Sequence, residues 1–569
     1  MNAPTPALVA RPERLRLVGH RQQILAIMHQ RLMFGMLLYA GIVAVIVLRL
    51  LYLAAFGDHA GRKTLVTALV PERGDIVDRE GQPLARTIDA WTIALHPSKV
   101  IGDRLELAAK LAVLMPERDE VAWLQLLRSD KSFIYLRRRS GPRLVEAVNS
   151  LGEPGLALSR EPDRLYPQTD LAAHVLGFTD IDGHGAAGME RAFDEQLSNP
   201  ATRGQPLVLS ISSRVQQALE HELLAAKTTF SAIGAAGIIM DIHTGEIMAM
   251  TSLPQLNPNI AGNMDPEARF NRATLGVWEL GSTFKPFTVA MALDTGDVKG
   301  MGQMYPCPDA LRVYGRSITD THPFGRACSV AEIMQESSNI GTAQIAAQVG
   351  PAAQRAFLEK MGFLKPVAVE LKERGRPLAP RGQWTPLDTM TIGFGHSLAV
   401  TPLHLASGYA TLFNGGVYRP ATLRKVGPGH SAGKGTRVFS EETSYKMRSL
   451  LRLVVTKGTG RKADAKGYRV GGKTGTAEKV VGGRYSKAGI VVTSFAGVFP
   501  MDEPRYAMVV MLDEPKGTAE TFGFRTAGWN AAPMFGKIVS RIAPMLGVRP
   551  DLKREPNMAE VLPYVHEKK

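Results

Sequence analysis

Residues 33–48 read MFGMLLYAGIVAVIVL without one charge, and the apolar character resumes after Arg49 in residues 50–56. Together the two stretches reach the roughly 20 residues a helix needs to span a bilayer. Such a run must be placed in lipid or removed, so it constrains the chain before anything else does. Arg49 lies late in the run, where its stem can reach back to the interface. Upstream stand Arg11, Arg14, Arg16, Arg21 and Arg31 against the single acid Glu13, and a flank rich in arginine stays in the cytoplasm. The expectation is a cytoplasmic tail over 1–32 and a single transmembrane anchor over 33–56 in the cytoplasmic (inner) membrane, N-terminus inside. The remaining body is then periplasmic. The rival reading is a cleaved signal peptide. Its apolar core would be shorter, and a small-x-small site would follow, which Leu53-Ala54-Ala55-Phe56 matches poorly. Neither cysteine lies near the N-terminus, so a lipid-modified cysteine there is excluded.

With 569 residues in all, the chain exceeds one hydrophobic core. Residues 57–200 are mixed and irregular and hold no catalytic constellation. They include Arg73-Gly74-Asp75, which reads as a charged turn. Residues 198–206 are a linker by composition. Beyond them, 207–211 reads as a strand, and Val215, Leu219, Leu223 and Leu224 make a helical stripe. Residues 235–242 and 246–252 flank His243-Thr244-Gly245 as a hairpin, and 490–499 and 505–512 form a second. Helical patterns cover 286–293, 329–349 and 529–546. Strands at both sequence ends with helices between predict one α/β domain over 207–548 whose sheet joins the two ends. The polar tail over 549–569 is expected to be loose.

The net charge of +15 invites a nucleic-acid reading. The chain has no zinc-finger spacing, RNP-like aromatic string or long basic block, so a solvated basic surface is the better account. Cys307 and Cys328 are the only cysteines, too few for a metal site. They pair in an oxidising compartment or remain two buried thiols, and the sequence leaves both open.

Three short motifs carry chemistry. In Gly281-Ser282-Thr283-Phe284-Lys285-Pro286, the spacing puts Ser282 and Lys285 on one face of a turn at a helix start. A serine hydroxyl is a weak nucleophile until a base takes its proton, and a lysine made neutral by burial can be that base. Ser337-Ser338-Asn339 lies inside a helical stretch; Ser337 and Asn339 can bridge Lys285 and a substrate amide, or merely cap a helix. In Gly471-Gly472-Lys473-Thr474-Gly475-Thr476, glycines on a strand admit a substrate backbone, Lys473 can hold a carboxylate, and Thr474 and Thr476 offer hydroxyls. Residues 467–474 also match the P-loop pattern letter for letter. Their context does not: a charged stretch precedes them and no helix follows, so nucleotide binding is the runner-up.

Ser-x-x-Lys, Ser-x-Asn and Lys-Thr-Gly in this order resemble the signature set of penicillin-binding proteins and serine β-lactamases. Arg73-Gly74 with Asp78-Arg79 and Gly81, Arg164-x-Tyr166-Pro167, and residues 185–190 resemble the pedestal of class B penicillin-binding proteins. Thr244-Gly245-Glu246, Gly393-Phe394-Gly395, Thr401-Pro402-Leu403, Asn414-Gly415-Gly416 and Asp513-Glu514-Pro515-Lys516 resemble their transpeptidase domain. The resemblance implies a pedestal domain over 57–200 and a β-lactamase-like α/β transpeptidase domain over 207–548, its central antiparallel sheet covered by helices. It implies a peptidoglycan D,D-transpeptidase with catalytic Ser282, Lys285, Ser337 and Asn339. Lys473, Thr474, Gly475 and Thr476 bind substrate, and the Ser282 and Thr476 backbone N–H groups form an oxyanion hole. It implies no metal and no cofactor. The implied partners are stem peptides, β-lactams, a membrane glycan polymerase of the SEDS family and other division proteins, because the compact chain and the 528–533 string look like the division-specific type. The elongation type is the alternative, and a non-catalytic division scaffold a remoter one. Leu280 departs from the proline common before Gly281. No Glu-x-x-Leu-Asn separates Asn339 from Lys473, which sets the chain apart from β-lactamases.

Overall fold

The computed structural model describes residues 13–56, 73–427, 429–481, 484–486 and 489–566. The chain divides into two units, Met1–Val70 and Pro71–Lys569.

In the first unit one helix runs over Glu13–Phe56, so it begins well upstream of the expected anchor. Its Ile27–Leu50 stretch has a mean hydropathy of 2.2 and none of it is buried. Phe34, Leu37 and Leu38 are all exposed, and a helix apolar on every side is at home in lipid rather than water. An uninterrupted run of this length exceeds the roughly 7–15 residues of a signal core.

The second unit opens with the pedestal sheet. Its central strand, Pro83–Leu95, is flanked by Leu156–Leu165 over a full antiparallel register and by Ile134–Ser140 on the other side. Helices Arg104–Leu114 and Glu120–Leu127, each started by an aspartate side chain (Asp103, Asp119) capping a backbone N–H, bury Leu111 and Trp123 against Ile93 and Leu95. The predicted strand at 207–211 is shorter, Leu207–Val208, and it pairs in parallel with Ile76–Val77. The strand expected to open the second domain therefore completes the sheet of the first.

The three pedestal motifs, far apart in sequence, converge on one buried carboxylate. Glu190 accepts from Arg73 Nε at 2.6 Å, from Arg164 Nε at 2.7 Å and from the Tyr166 hydroxyl at 3.3 Å. Arg73 also reaches Asp194 at 2.6 Å. Arg73 is thus a buried ion-pair partner rather than a surface turn. Two guanidinium groups left in a dry site without their carboxylate are costly, so Glu190→Ala is expected to lose about 3–5 kcal/mol, read as a fall in the denaturant midpoint of the soluble body.

The second five-stranded sheet has the order Gly471–Glu478, Val491–Phe499, Tyr506–Asp513, Gly234–Asp241, Ile247–Leu253, antiparallel throughout. It joins the two sequence ends as expected. Both faces are covered, which explains strands that are apolar almost without alternation. On one face Leu219 and Leu223 of helix Ser213–Thr229 pack with Phe535 and Ile538 of helix Ala531–Ile542. Gly237 permits that approach, since a Cβ there would lie 2.6 Å from Leu223. Helix Pro402–Phe413 and the larger core fill the other face.

Cys307 and Cys328 are joined as a disulfide across the two-stranded ribbon of Met304–Cys307 and Arg326–Ser329, which settles the alternative left open by sequence. The polar tail is also corrected: among the described residues, 551–566 are held rather than loose, with Val561 fully buried in the core.

Candidate active site

The nucleophile candidate sits on a tight turn. Gly281–Phe284 forms a single 3-10 turn that runs directly into helix Lys285–Asp294. Phe284 and Phe287 anchor the turn from below, their rings 5.4 Å apart, and Phe287 meets Tyr409 at 5.6 Å. The Tyr409 hydroxyl donates to the Thr283 carbonyl at 3.0 Å. Gly281 has φ of +55°, and its N–H donates to the Gly395 carbonyl at 3.2 Å. A Cβ on Gly281 would lie 2.9 Å from the Thr476 carbonyl oxygen, and one on Gly475 would lie 2.4 Å from that of Leu280. The glycines thus press the serine turn onto the strand carrying Lys473. Leu280, standing where proline is common, is fully buried, and its carbonyl accepts from the Thr283 hydroxyl at 2.8 Å.

The predicted single helix over 329–349 is broken at the second motif. Helix Val330–Glu336 ends at Ser337, which adopts the left-handed conformation with φ of +65°, and Ser338 caps the next helix, Asn339–Val349. A serine at positive φ costs on the order of 1–3 kcal/mol and persists only where its surroundings impose it. Here they do. The Ser337 carbonyl accepts from Lys285 Nζ, and its hydroxyl accepts from Lys285 Nζ at 3.1 Å and from Lys473 Nζ at 2.8 Å. Ser338 is the helix cap, and Ser337 links Lys285 to Lys473.

Lys285 and Lys473 are both fully buried. Burial holds Lys285 well below the usual amine range, the nearby Lys473 charge pushes it further the same way, and Asp320 opposes them. Burial alone brings Lys473 down to about 7. Two ammonium groups sharing one hydroxyl in a dry site repel, which favours a neutral amine at Lys285. That is the state in which it can accept a proton. Its hydrogen bonds go to Ser337, and the Ser282 side chain is half-buried.

Asn339 does not reach Lys285 as the motif suggested. Its side chain donates to the Thr319 carbonyl at 2.9 Å, and its backbone N–H binds Asp320. Asp320 carried no motif, yet it also accepts from the Ser338 hydroxyl at 2.6 Å and from the Ile340 N–H at 3.1 Å, fixing the turn that presents Ser337. On the third motif, Thr474 Oγ1 pairs with Thr459 Oγ1 at 2.9 Å, and Thr476 Oγ1 accepts from the Ala527 N–H at 3.0 Å. Residues 467–474 do not form a phosphate loop: Gly471–Glu478 is a β-strand, and no helix opens after it. That strand is the edge of its sheet and packs against the serine turn. A second constellation missed by sequence lies just upstream, where Glu279 accepts from the Ser397 N–H at 2.8 Å and the Tyr485 hydroxyl at 2.9 Å.

Comparison with known proteins adds the following. The profile of the penicillin binding protein transpeptidase domain matches residues 235–540, and that of the penicillin-binding protein dimerisation domain matches residues 68–205. The chain is 41% identical over 487 residues to the probable peptidoglycan D,D-transpeptidase FtsI of Caulobacter vibrioides, with 84% of this chain and 82% of that protein covered. It is 32% identical over 522 residues to peptidoglycan D,D-transpeptidase FtsI of Escherichia coli, with 86% of each covered. Among solved structures, penicillin binding protein 3 of Mycobacterium tuberculosis complexed with aztreonam is similar at a TM-score of 0.67 and 25% identity, with 85% of this chain and 98% of that one covered.

Proposed function

The chain belongs to the class B penicillin-binding proteins, and on that footing we propose how its site works and where in the cell it acts. It is a serine-type peptidoglycan D,D-transpeptidase, a single-pass membrane protein by the one long apolar helix among the described residues.

The proposed mechanism assigns each residue one task. The donor stem peptide lies along the free edge of Gly471–Glu478 as an added strand. Lys473 and the hydroxyls of Thr474 and Thr476 hold its terminal carboxylate, and Gly475 leaves room for its backbone. Ser282 Oγ attacks the penultimate D-Ala carbonyl carbon while its proton passes to the neutral Lys285 amine. The backbone N–H groups of Ser282 and Thr476 stabilise the oxyanion. The proton then moves through Ser337 to the departing D-Ala nitrogen as the peptide bond breaks, leaving an ester on Ser282. An amine of a neighbouring stem peptide attacks that ester, gives up its proton through the same relay, and frees the serine. Asn339 positions the turn and the substrate amide. The observation that carries this reading is the Ser337 hydroxyl held between two buried lysines, since a hydroxyl with one proton and two lone pairs can hand protons either way. β-Lactams would acylate the same Ser282.

The finer placement is septal, in the inner membrane with the catalytic body in the periplasm, beside a SEDS-family glycan polymerase and other division proteins. The arginine-rich flank supports the orientation. So does the Cys307–Cys328 disulfide, which persists in oxidising compartments. A reporter active only outside the cytoplasm, fused after Lys569, is expected to be active; a silent but well-expressed fusion reverses the topology. Depletion in the native cell should give filaments that grow without dividing. Rounded cells that still divide would assign the enzyme to elongation.

A further inference from the structure

Residues 551–566 contact the helix that ends at Ser337 and, through Arg452, the root of the strand that carries Lys473. At one end, Glu555 takes Arg452 in a fork, Nε to Oε2 at 2.8 Å and Nη2 to Oε1 at 2.6 Å. Arg452 is buried, and its Nη1 also donates at 2.9 Å to the carbonyl of Val470, the residue before the strand that carries Lys473. The Asp551 N–H donates to the Gly467 carbonyl at 2.9 Å. In the middle, Val561 is fully buried. At the other end, the Tyr564 carbonyl accepts from the Ser329 hydroxyl at 2.7 Å, and His566 Nδ1 lies 2.8 Å from Glu332. Ser329 and Glu332 form the capping box of helix Val330–Glu336, whose last turn delivers Ser337. Arg326 holds the same Glu332 at 2.7 Å.

We propose that residues 551–566 act as a strap that sets the separation of Ser337 from Lys473 and thereby the rate at which the serine is acylated. The proposal rests on the acyl-transfer reading of the site. Ser337 is brought by a helix and Lys473 by a sheet edge, two elements that share a core and are bridged by helix Glu441–Thr456. Their side chains meet at 2.8 Å, a distance that a small slide of the helix would break. The strap grips the start of the helix and the root of the strand at once, so it resists that slide without touching substrate. Its residues are positioning residues. They affect the chemical step while leaving the carboxylate-binding edge of Gly471–Glu478 as it is.

The test is stopped-flow acylation of the purified full-length protein in detergent by a fluorescent penicillin, resolving the initial binding constant from the acylation rate constant. A chain shortened to end at Pro550 is expected to bind with unchanged affinity and to acylate about ten- to a hundredfold more slowly, the size of effect that follows a small misplacement of catalytic groups. A synthetic peptide of residues 551–566 added in trans should restore most of the rate. Glu555→Gln should show the same split to a smaller degree, and Glu555→Asp should recover part of it. Glu190→Ala, destabilising but remote in the pedestal, should leave the acylation rate constant at the wild-type value. Wild-type acylation rates in both the shortened chain and Glu555→Gln overturn the strap while leaving the enzyme's function intact. If the shortened chain precipitates, Glu555→Gln decides alone. A wild-type protein that is never labelled overturns the acyl-transfer reading, and the strap falls with it.

Discussion

Ser282→Ala is expected to abolish covalent labelling by a fluorescent penicillin, with a fall of roughly 10⁴ to 10⁶ in the acylation rate, the scale seen when a serine nucleophile is removed from a working site. The loss should come without unfolding. The Ser282 side chain is half-buried and is not among the groups that hold the turn together; those are Gly281, Thr283 and Phe284. The variant should therefore keep the wild-type denaturant midpoint and still bind the β-lactam reversibly through Lys473 and the edge strand. Peptide mapping of the wild-type adduct should return the fragment containing Gly281-Ser282-Thr283. A label on any other residue would sink the assignment of the nucleophile and, with it, the proton path through Lys285 and Ser337.

What the sequence disclosed here was local, and what it concealed was not. The anchor, the two hairpins and the stripe of Val215, Leu219 and Leu223 are periodic signals that each segment carries by itself. The ordered motifs named Ser282, Lys285, Ser337 and Lys473 because each is a short string. The break at Ser337 was not legible: a non-glycine residue at positive φ is imposed by Lys285, Lys473 and Asp320, which lie 17 to 136 residues away. Asp320 sits in no motif, since its role exists only once residues 319–320 fold over the Ser338 turn. The tail at 551–566 looked loose because its composition is polar, yet Glu555 finds a buried arginine and Val561 a core. The strand expected at 207–211 is shorter and belongs to the sheet of the preceding domain, because strand pairing is a long-range property that composition does not encode.

Lys285→Arg should lower acylation by about 10² to 10⁴, the usual contribution of a positioned general base, because a guanidinium keeps the charge and cannot give up its proton at any working pH. The argument turns on the sign of the shift. Burial and the Lys473 charge both depress Lys285, which favours its neutral form over that of a free amine, and lowering the pH works against that form. Acylation by wild type should accordingly hold steady near neutrality and decline on the acid side. Lys473→Met removes the neighbouring charge that helps to keep Lys285 neutral. Its acid limb should therefore move to higher pH even though carboxylate binding is weakened. Stability moves the other way. Lys473 titrates at about 7 when folded and near 10.4 when unfolded, so between those values the unfolded chain binds more protons. Native stability is then lost as pH falls through that window, by about 1.4 kcal/mol per unit, and is fully recovered only above it. Replacing Lys473 with methionine removes this loss, and the variant should be more stable than wild type at pH 7 while acylating poorly. A wild-type rate for Lys285→Arg would pass the proton to another group, and a Lys473→Met protein less stable at pH 7 would mean that the buried lysine is charged and paired.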